Sequence, residues 1–267
     1  MATDQSMEGR ASASAVFELR NVAYTVPVRE GPRHILRGVD FALGAGEILA
    51  IVGPSGTGKT SLIRIIAGLV AQTSGEVLFR GRPVAGPPEG VAVVFQDYAN
   101  ALLQWRTVAG NIALGIERRL DRAACARQIE RCLALVGLER HASDYPWQLS
   151  GGMQQRVQIA RALALEPAVL LMDEPFASLD AMTKASLQDE MLRLRGETGA
   201  SFVFITHDIE EAIYLGDRVA VLRGRPGTLA ETHEVGLGAL RDQVATRAAP
   251  AFLQLRQRLH GAIGVHA

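Results

Sequence analysis

Short unbroken apolar runs alternate with amphipathic stretches along most of the chain, and that alternation predicts the fold class. Ile48-Leu49-Ala50-Ile51-Val52, Val91-Ala92-Val93-Val94-Phe95, Val169-Leu170-Leu171-Met172, Phe202-Val203-Phe204-Ile205 and Val219-Ala220-Val221-Leu222 have no polar face. Runs of this kind suit strands of a parallel sheet covered on both sides. Between the first two, Leu62, Ile65, Ile66 and Leu69 recur at helical spacing, with Gly68 inside the pattern. Strands separated by helices imply an α/β domain with a mostly parallel sheet. Val16–Val22 alternates only in part, as a half-buried strand would, and Pro27–Arg33 reads as a loop rich in proline and charge. Phe41-Ala42-Leu43 leads through Gly44-Ala45-Gly46 into the first central strand. Glu76–Phe79 reads as an edge strand, and Gly86-Pro87-Pro88 breaks the chain after it.

From about 98 to 158 the strand pattern stops. Val108–Ile116 and Arg122–Val136 read as helices ended near Gly137 and Pro146, so a helical insert is expected within the α/β core. Beyond residue 236, Leu253, Leu255 and Leu259 among arginines predict one amphipathic helix, and Met1–Ala15, rich in Ala and Ser, reads as a disordered tail. The expected organisation is a tail over 1–15, a main domain over 16–235 and a C-terminal helical extension over 236–267, with no internal repeat and no sustained heptads.

Composition narrows the class only slightly. A chain of 267 residues with 48% apolar and 21% charged residues is globular and long enough to bury a core. Its net charge of +0 lacks the basic excess usual in nucleic-acid binders, so no nucleic-acid partner is expected. Cys125 and Cys132 fall on one helical face two turns apart, too far for a disulfide, and such sparse use fits a reducing compartment. No apolar stretch approaches the ~18–20 residues that span a bilayer. Met1–Ala15 carries Asp4 and Glu8 and lacks the apolar segment of a signal peptide. Any membrane crossing is expected of another chain.

The candidate chemistry starts at Gly53-Pro54-Ser55-Gly56-Thr57-Gly58-Lys59-Thr60, followed by Ser61. The run matches the phosphate-loop pattern in full, between an apolar strand and an amphipathic helix. Its glycines let several backbone N–H groups face one anion, and the helix that follows adds its positive end. Lys59 is placed to reach the β- and γ-phosphates, and the Thr60 hydroxyl suits Mg²⁺. Val169–Met172 feeds Asp173 and Glu174 to the carboxyl edge of the sheet, where ligands collect in open α/β folds. Asp173 is the expected metal-side carboxylate, and Glu174 the expected base for the attacking water. Between these elements lies Leu149-Ser150-Gly151-Gly152-Met153-Gln154-Gln155-Arg156. A Ser hydroxyl, two glycine amides and a helix N-terminus make a second anion site on the same chain.

In this order the motifs resemble those of the ATP-binding cassette (ABC) ATPases over roughly residues 16–227. The resemblance implies a phosphate-loop NTPase (RecA-like) core with a mostly parallel sheet, an N-terminal antiparallel β subdomain and an inserted helical subdomain. It implies ATP and Mg²⁺ as cofactors. Gln96 matches the glutamine-loop residue that senses Mg²⁺ and the γ-phosphate. Ser150, Gly151 and Gly152 match the signature that caps ATP held by a second copy. Ser178-Leu179-Asp180 matches the loop crossing the dimer seam, and His207 matches the switch histidine at the γ-phosphate. Tyr24 is the candidate to stack on adenine; an aromatic in an early strand also suits the core. The implied assembly is an ATP-sandwich homodimer beneath a transmembrane permease, served indirectly by a substrate-binding protein. That puts the chain at the cytoplasmic face of the inner (plasma) membrane.

Phe95-Gln96-Asp97-Tyr98, Leu102–Val108, Tyr145-Pro146-Trp147-Gln148 and Arg225-Pro226-Gly227 are similar to the nitrate, sulfonate and taurine importer subfamily. Gln104 stands where that pattern has proline, which loosens the local backbone. Trp105 has two open readings, contact with the membrane partner or burial in the insert. The alternative is a soluble, non-transport ABC ATPase of repair or translation. The compact interval between phosphate loop and signature, without heptads or clustered Cys and His, and the single cassette oppose it.

Overall fold

A computed structural model describes residues 15–29, 31–95, 101–177, 179–238 and 240–264. Most of the expected tail, 1–14, lies outside the described residues, as do Gln96 and Ser178. Two sheets form the body. The larger is six-stranded in the order β10-β9-β3-β8-β7-β6, with β3 Ile48–Val52, β6 Val91–Val94, β7 Val169–Asp173, β8 Ser201–Thr206, β9 Arg218–Arg223 and β10 Thr228–Glu234. Its strands run parallel except β10, which returns antiparallel to β9. The second sheet is antiparallel in the order β2-β1-β4-β5, with β1 Ala15–Val28, β2 Gly31–Gly44, β4 Ser74–Phe79 and β5 Arg82–Pro83.

The period-2 geometry of β3 divides the interior. Leu49 and Ile51 face one core with Leu62, Ile63 and Ile66 of helix α1 (Lys59–Ile66) and with Phe17, Leu19 and Leu43 of the antiparallel sheet. Ile48, Ala50 and Val52 face the other core, formed by the helical insert and the C-terminal helices. All five β3 residues are buried. Each of its Ile, Leu and Val side chains contributes roughly 1.5–3 kcal/mol on burial, which is why the run contains no polar residue.

The insert has the expected helices, α2 Val108–Ala113, α3 Arg122–Leu135 and α4 Gly151–Leu163, and no strand among the described residues. Helix α2 stops short of Ile116. Asn111, wholly buried, takes the Leu103 N–H at 2.8 Å and donates to the Leu103, Arg106 and Thr107 carbonyls at 3.1 Å each. One amide thereby pins the preceding loop. Cys125 and Cys132 are free thiols on α3.

Three expectations change. The segment Pro27–Arg33 is chiefly strand: Val26 pairs Arg33, Pro27 pairs Pro32 and Val28 pairs Gly31 in a long hairpin. Prolines fit there because the N–H they lack belongs to a hairpin end. Strand β4 is not an edge; β1 flanks it on one side and the two-residue β5 on the other. The C-terminal extension is two helices, α7 Ala245–Ala248 and α8 Pro250–Ile263, because Pro250 can start a helix but not continue one. Helix α8 buries Phe252, Leu255, Leu259 and Ala262, whereas Leu253 faces outward. The remaining helices are α5 Ala181–Thr198 and α6 Ile209–Leu215. No helix among the described residues is long and apolar enough to cross a membrane.

Candidate active site

Parallel pairing brings the separate motifs to one edge. Val52 aligns with Thr206, and Asp173 aligns with Ile205, so the loops after β3, β7 and β8 leave the sheet side by side. Residues 53, 174 and 207 come from distant parts of the chain and are neighbours because three strands end at one level.

Gly53 opens the phosphate loop against β9. A Cβ there would lie 2.2 Å from the Leu222 carbonyl oxygen, so only glycine fits. Gly58 caps α1 with φ +94°, a left-handed conformation that side chains oppose. The Thr57 hydroxyl donates to the Pro54 carbonyl at 2.9 Å. Lys59 lies beneath the loop, 6% exposed, and its Nζ donates to the Gly53 and Pro54 carbonyls at 2.7 and 3.0 Å. Burial lowers its pKa, while the Glu174 and Asp173 carboxylates oppose that shift.

Asp173 ends β7 and is 4% exposed. Burial raises its pKa, and a hydrogen bond from Thr60 acts against the rise. A buried carboxylate joined to a hydroxyl is a hard oxygen pair that fits Mg²⁺, leaving the other positions for phosphate and water. No group of three or more His, Cys, Asp or Glu side chains among the described residues forms an all-protein metal cage. Glu174 follows at φ +48°, with its N–H on the Ile205 carbonyl at 2.9 Å. Its Oε1 stands 3.5 Å from Nδ1 of the largely exposed His207. An uncommon backbone conformation at an acidic residue beside a histidine is the strain expected where a side chain is aimed rather than packed.

Tyr24 is half-buried in β1, paired with Leu36 of β2. Leu36 and Ile35 pack on Gly58, so Tyr24 sits one strand away from the phosphate loop. Ser150 is exposed at the start of α4, where its hydroxyl accepts the Met153 N–H at 3.4 Å. Gly152 is pressed against α5: a Cβ would lie 2.4 Å from Thr183 Cγ2, near Leu179. Asp180 caps α5 through the Met182 and Thr183 N–H groups. Gln96 and Ser178 fall outside the described residues. Trp105 is 75% exposed, which rules out its burial in the insert.

Two sets of long-range contacts complete the surroundings of the site. Arg225 reaches back 170 positions and donates to the Ser55 carbonyl at 2.9 Å, lying against Gly56. Gly227 next to it bonds Ile35 and Arg37, linking the two sheets beside the phosphate loop. Behind His207, Lys184 pairs with Asp208 at 2.8 Å and with the buried Glu211, which also receives the Thr206 hydroxyl. Burial raises the Glu211 pKa. It would raise that of Asp208 too, but the Lys184 hydrogen bond and charge take Asp208 below its ordinary value. The spacing of Asp208 and Glu211 after a strand was a visible signal; the lysine partner on another helix was not.

A strand-loop-helix phosphate cradle after β3, with a buried carboxylate at the end of β7 two strands away in the sheet, defines a nucleoside triphosphatase of the phosphate-loop class. Residues 36–177 match the ABC transporter family. An aliphatic sulfonates import ATP-binding protein of Xanthomonas axonopodis pv. citri is 46% identical over 88% of this chain and 92% of its own length. A taurine import ATP-binding protein of Pseudomonas putida is 42% identical over 92% of this chain and 94% of its own. The fold also superposes on a dimeric ATP-binding cassette in a post-hydrolysis state bound to ADP and Pi. That match has a TM-score of 0.73 and 31% identity, covering 82% of this chain and 98% of the other. The chain belongs to the ABC transporter family and is an ATPase. Against these relatives the non-transport alternative is not favoured.

Proposed function

We propose that two copies of this chain close on two ATP·Mg²⁺ to drive uptake of a small sulfonate such as taurine through a transmembrane permease. The observation carrying the chemistry is the convergence of Lys59, Asp173, Glu174 and His207 at one sheet edge, while Ser150 stands exposed at the start of α4 on the insert. Each chain thus presents a deep phosphate cradle and a separate exposed anion cap. A head-to-tail pair would join the cradle of one copy to the cap of the other.

In this reading Gly53–Ser61 wraps the phosphates with backbone N–H groups, Lys59 neutralises the β- and γ-phosphates, and Tyr24 stacks on the base. Asp173 and Thr60, with Gln96, would hold Mg²⁺, which would supply positive charge against the phosphates. Glu174 takes a proton from the attacking water, and His207 donates to the γ-phosphate. Asp180, in the seam loop, carries closure to the partner. Driving the open and closed populations from 1:99 to 99:1 needs ~5.5 kcal/mol of differential ATP binding. The cap at Ser150, engaged only on closure, is the source of that difference.

The exposed Trp105 and the stacked Tyr145–Trp147 pair, with ring centroids 6.1 Å apart, favour a protein partner on the insert. They support docking to the permease, with a substrate-binding protein delivering cargo from the other side. The chain would then act peripherally at the cytoplasmic face of the inner membrane. Taurine, sulfonate and nitrate uptake in a strain lacking the chain tests the cargo. Loss of taurine or alkanesulfonate uptake, restored by the wild-type chain but not by Glu174→Gln, is the expected result. Loss of nitrate uptake alone would replace the sulfonate, and undiminished uptake of all three would sink the importer reading.

A further inference from the structure

The C-terminal extension bonds to both helices that begin at the seam and the switch. Arg241, its side chain 2% exposed, donates to the Ile213, Tyr214 and Gly216 carbonyls and so caps the end of α6. Gln243 donates to the Ala185 carbonyl at 3.0 Å and to Asp189 at 2.8 Å, both on α5. Arg247 reaches both helices at once. It donates to Gln188 Oε1 of α5 at 3.0 Å and to Glu210 Oε2 of α6 at 3.1 Å, and its guanidinium lies 4.9 Å above the Tyr214 ring. Arg256 of α8 takes the other Glu210 oxygen at 2.8 Å.

The far ends of these helices are chemical. Helix α6 is capped by Asp208, the residue after His207, and α5 is capped by Asp180 of the seam loop. Lys184 ties the two N-termini through Asp208 and Glu211. Arg247 is a second tie, on the side facing the C-terminal extension. A planar guanidinium can hold two acceptors in a fixed fork, which a lysine cannot. Without Arg247 the helices stay joined by Lys184 and by the Tyr214 hydroxyl on Asp189 at 2.7 Å, and Arg256 still holds Glu210. The link from Gln188 to the first turn of α6 is lost, however, which frees that turn and His207 before it to shift relative to Glu174.

We propose that Arg247 is a positioning residue for hydrolysis: by bridging Gln188 and Glu210 it fixes α6, and so His207, against the seam helix. The C-terminal extension thereby sets the geometry of the γ-phosphate end of the site without touching nucleotide. This rests on the assignment of Glu174 and His207 to hydrolysis.

The test uses the full chain and compares Arg247→Ala, Glu210→Ala and the double variant. ATPase kcat, Kd for a fluorescent ATP analogue and thermal midpoint are measured for each. A misplaced but present catalytic group costs well over a factor of two, and about tenfold lower kcat is expected for each single variant with Kd unchanged. The double variant should be no slower than Glu210→Ala, which already breaks the Arg247 bridge together with the Arg256 bond. Unchanged kcat with a lower thermal midpoint overturns the proposal and makes the bridge a stabilising contact only. A Kd that worsens in step with kcat overturns it as well. If Arg247→Ala does not fold, Arg247→Lys and Glu210→Gln carry the same measurements. His207→Ala is run alongside: full activity there removes the site assignment, whereas lost activity there with normal Arg247→Ala removes the bridge alone.

Discussion

The phosphate loop at 53–60 and the signature turn at 150–152 are both glycine-rich turns at helix N-termini, yet they are built in opposite ways. Gly53 is walled by the Leu222 carbonyl, Lys59 is buried, and Arg225 braces Ser55 from outside. Ser150 stands exposed, and Gly152 is pressed only by side chains of Thr183 and Leu179. The phosphate loop is walled within one chain, by the Leu222 carbonyl and by the Arg225, Leu36 and Ile35 side chains. A site open to solvent needs a second surface to exclude water before its amides act at low dielectric. The difference is between a turn already walled in by its own chain and a turn that leaves its serine open to the surface.

The sharpest break in the comparison is chemical. Glu174→Gln is expected to lower ATPase kcat by ~10²–10⁴-fold while preserving ATP affinity, and to elute as an ATP-dependent dimer on size exclusion. Undiminished turnover would remove Glu174 from its role. Ser150→Arg attacks the open half, and hydrolysis should fall by about 10²-fold, the usual cost of one oxyanion donor. Its affinity for ATP as a monomer should not change; lost monomer binding, read by equilibrium titration, would make the signature a cis element. Lys59→Ala attacks the closed half and should weaken monomer binding by about 10–100-fold, the worth of a charge-assisted bond.

Stability sharpens the same contrast. Gly53→Ala forces a methyl against a carbonyl and should cost about 1–3 kcal/mol, whereas Gly152→Ala meets a threonine methyl that can shift and should cost less. Chemical denaturation of the two variants gives the order, and a larger loss at Gly152 would contradict it. The smallest effect concerns how the insert is anchored. Burial pushes the Cys132 thiol up to about 11 from 9.0. A raised folded value means the native state keeps its proton when the unfolded chain has lost it. The stability so gained is whole below pH 9.0 and drains away as pH rises through about 11. Cys132→Ala should therefore flatten the alkaline limb of the stability profile, and an unchanged limb would discard this origin.

The central strands and the phosphate loop were legible because each is a local signal: an uninterrupted apolar run, then glycines at fixed spacing. Asp173 was legible as the end of such a run. The hairpin at Pro27–Arg33 was misjudged because proline and charge mark loops by frequency, while cross-strand pairing at a hairpin end tolerates both. The break at Pro250 has a local signal in the proline itself, but the periodic leucines at 253, 255 and 259 all lie beyond it and mark only the second helix. Arg225 and Lys184 were beyond reach, because their partners lie 170 and 24 positions away.

By itself the sequence determined the central strands, the two glycine-rich turns before helices and the family, since backbone preferences and motif spacing act over a few residues. Tertiary structure alone decided what those elements meet. It set His207 3.5 Å from Glu174, gave Lys59 its burial, and joined the C-terminal arginines to the helix behind the switch. The physical reason is distance along the chain: such contacts exist only after parallel strands align their ends, and no local pattern encodes which ends will meet.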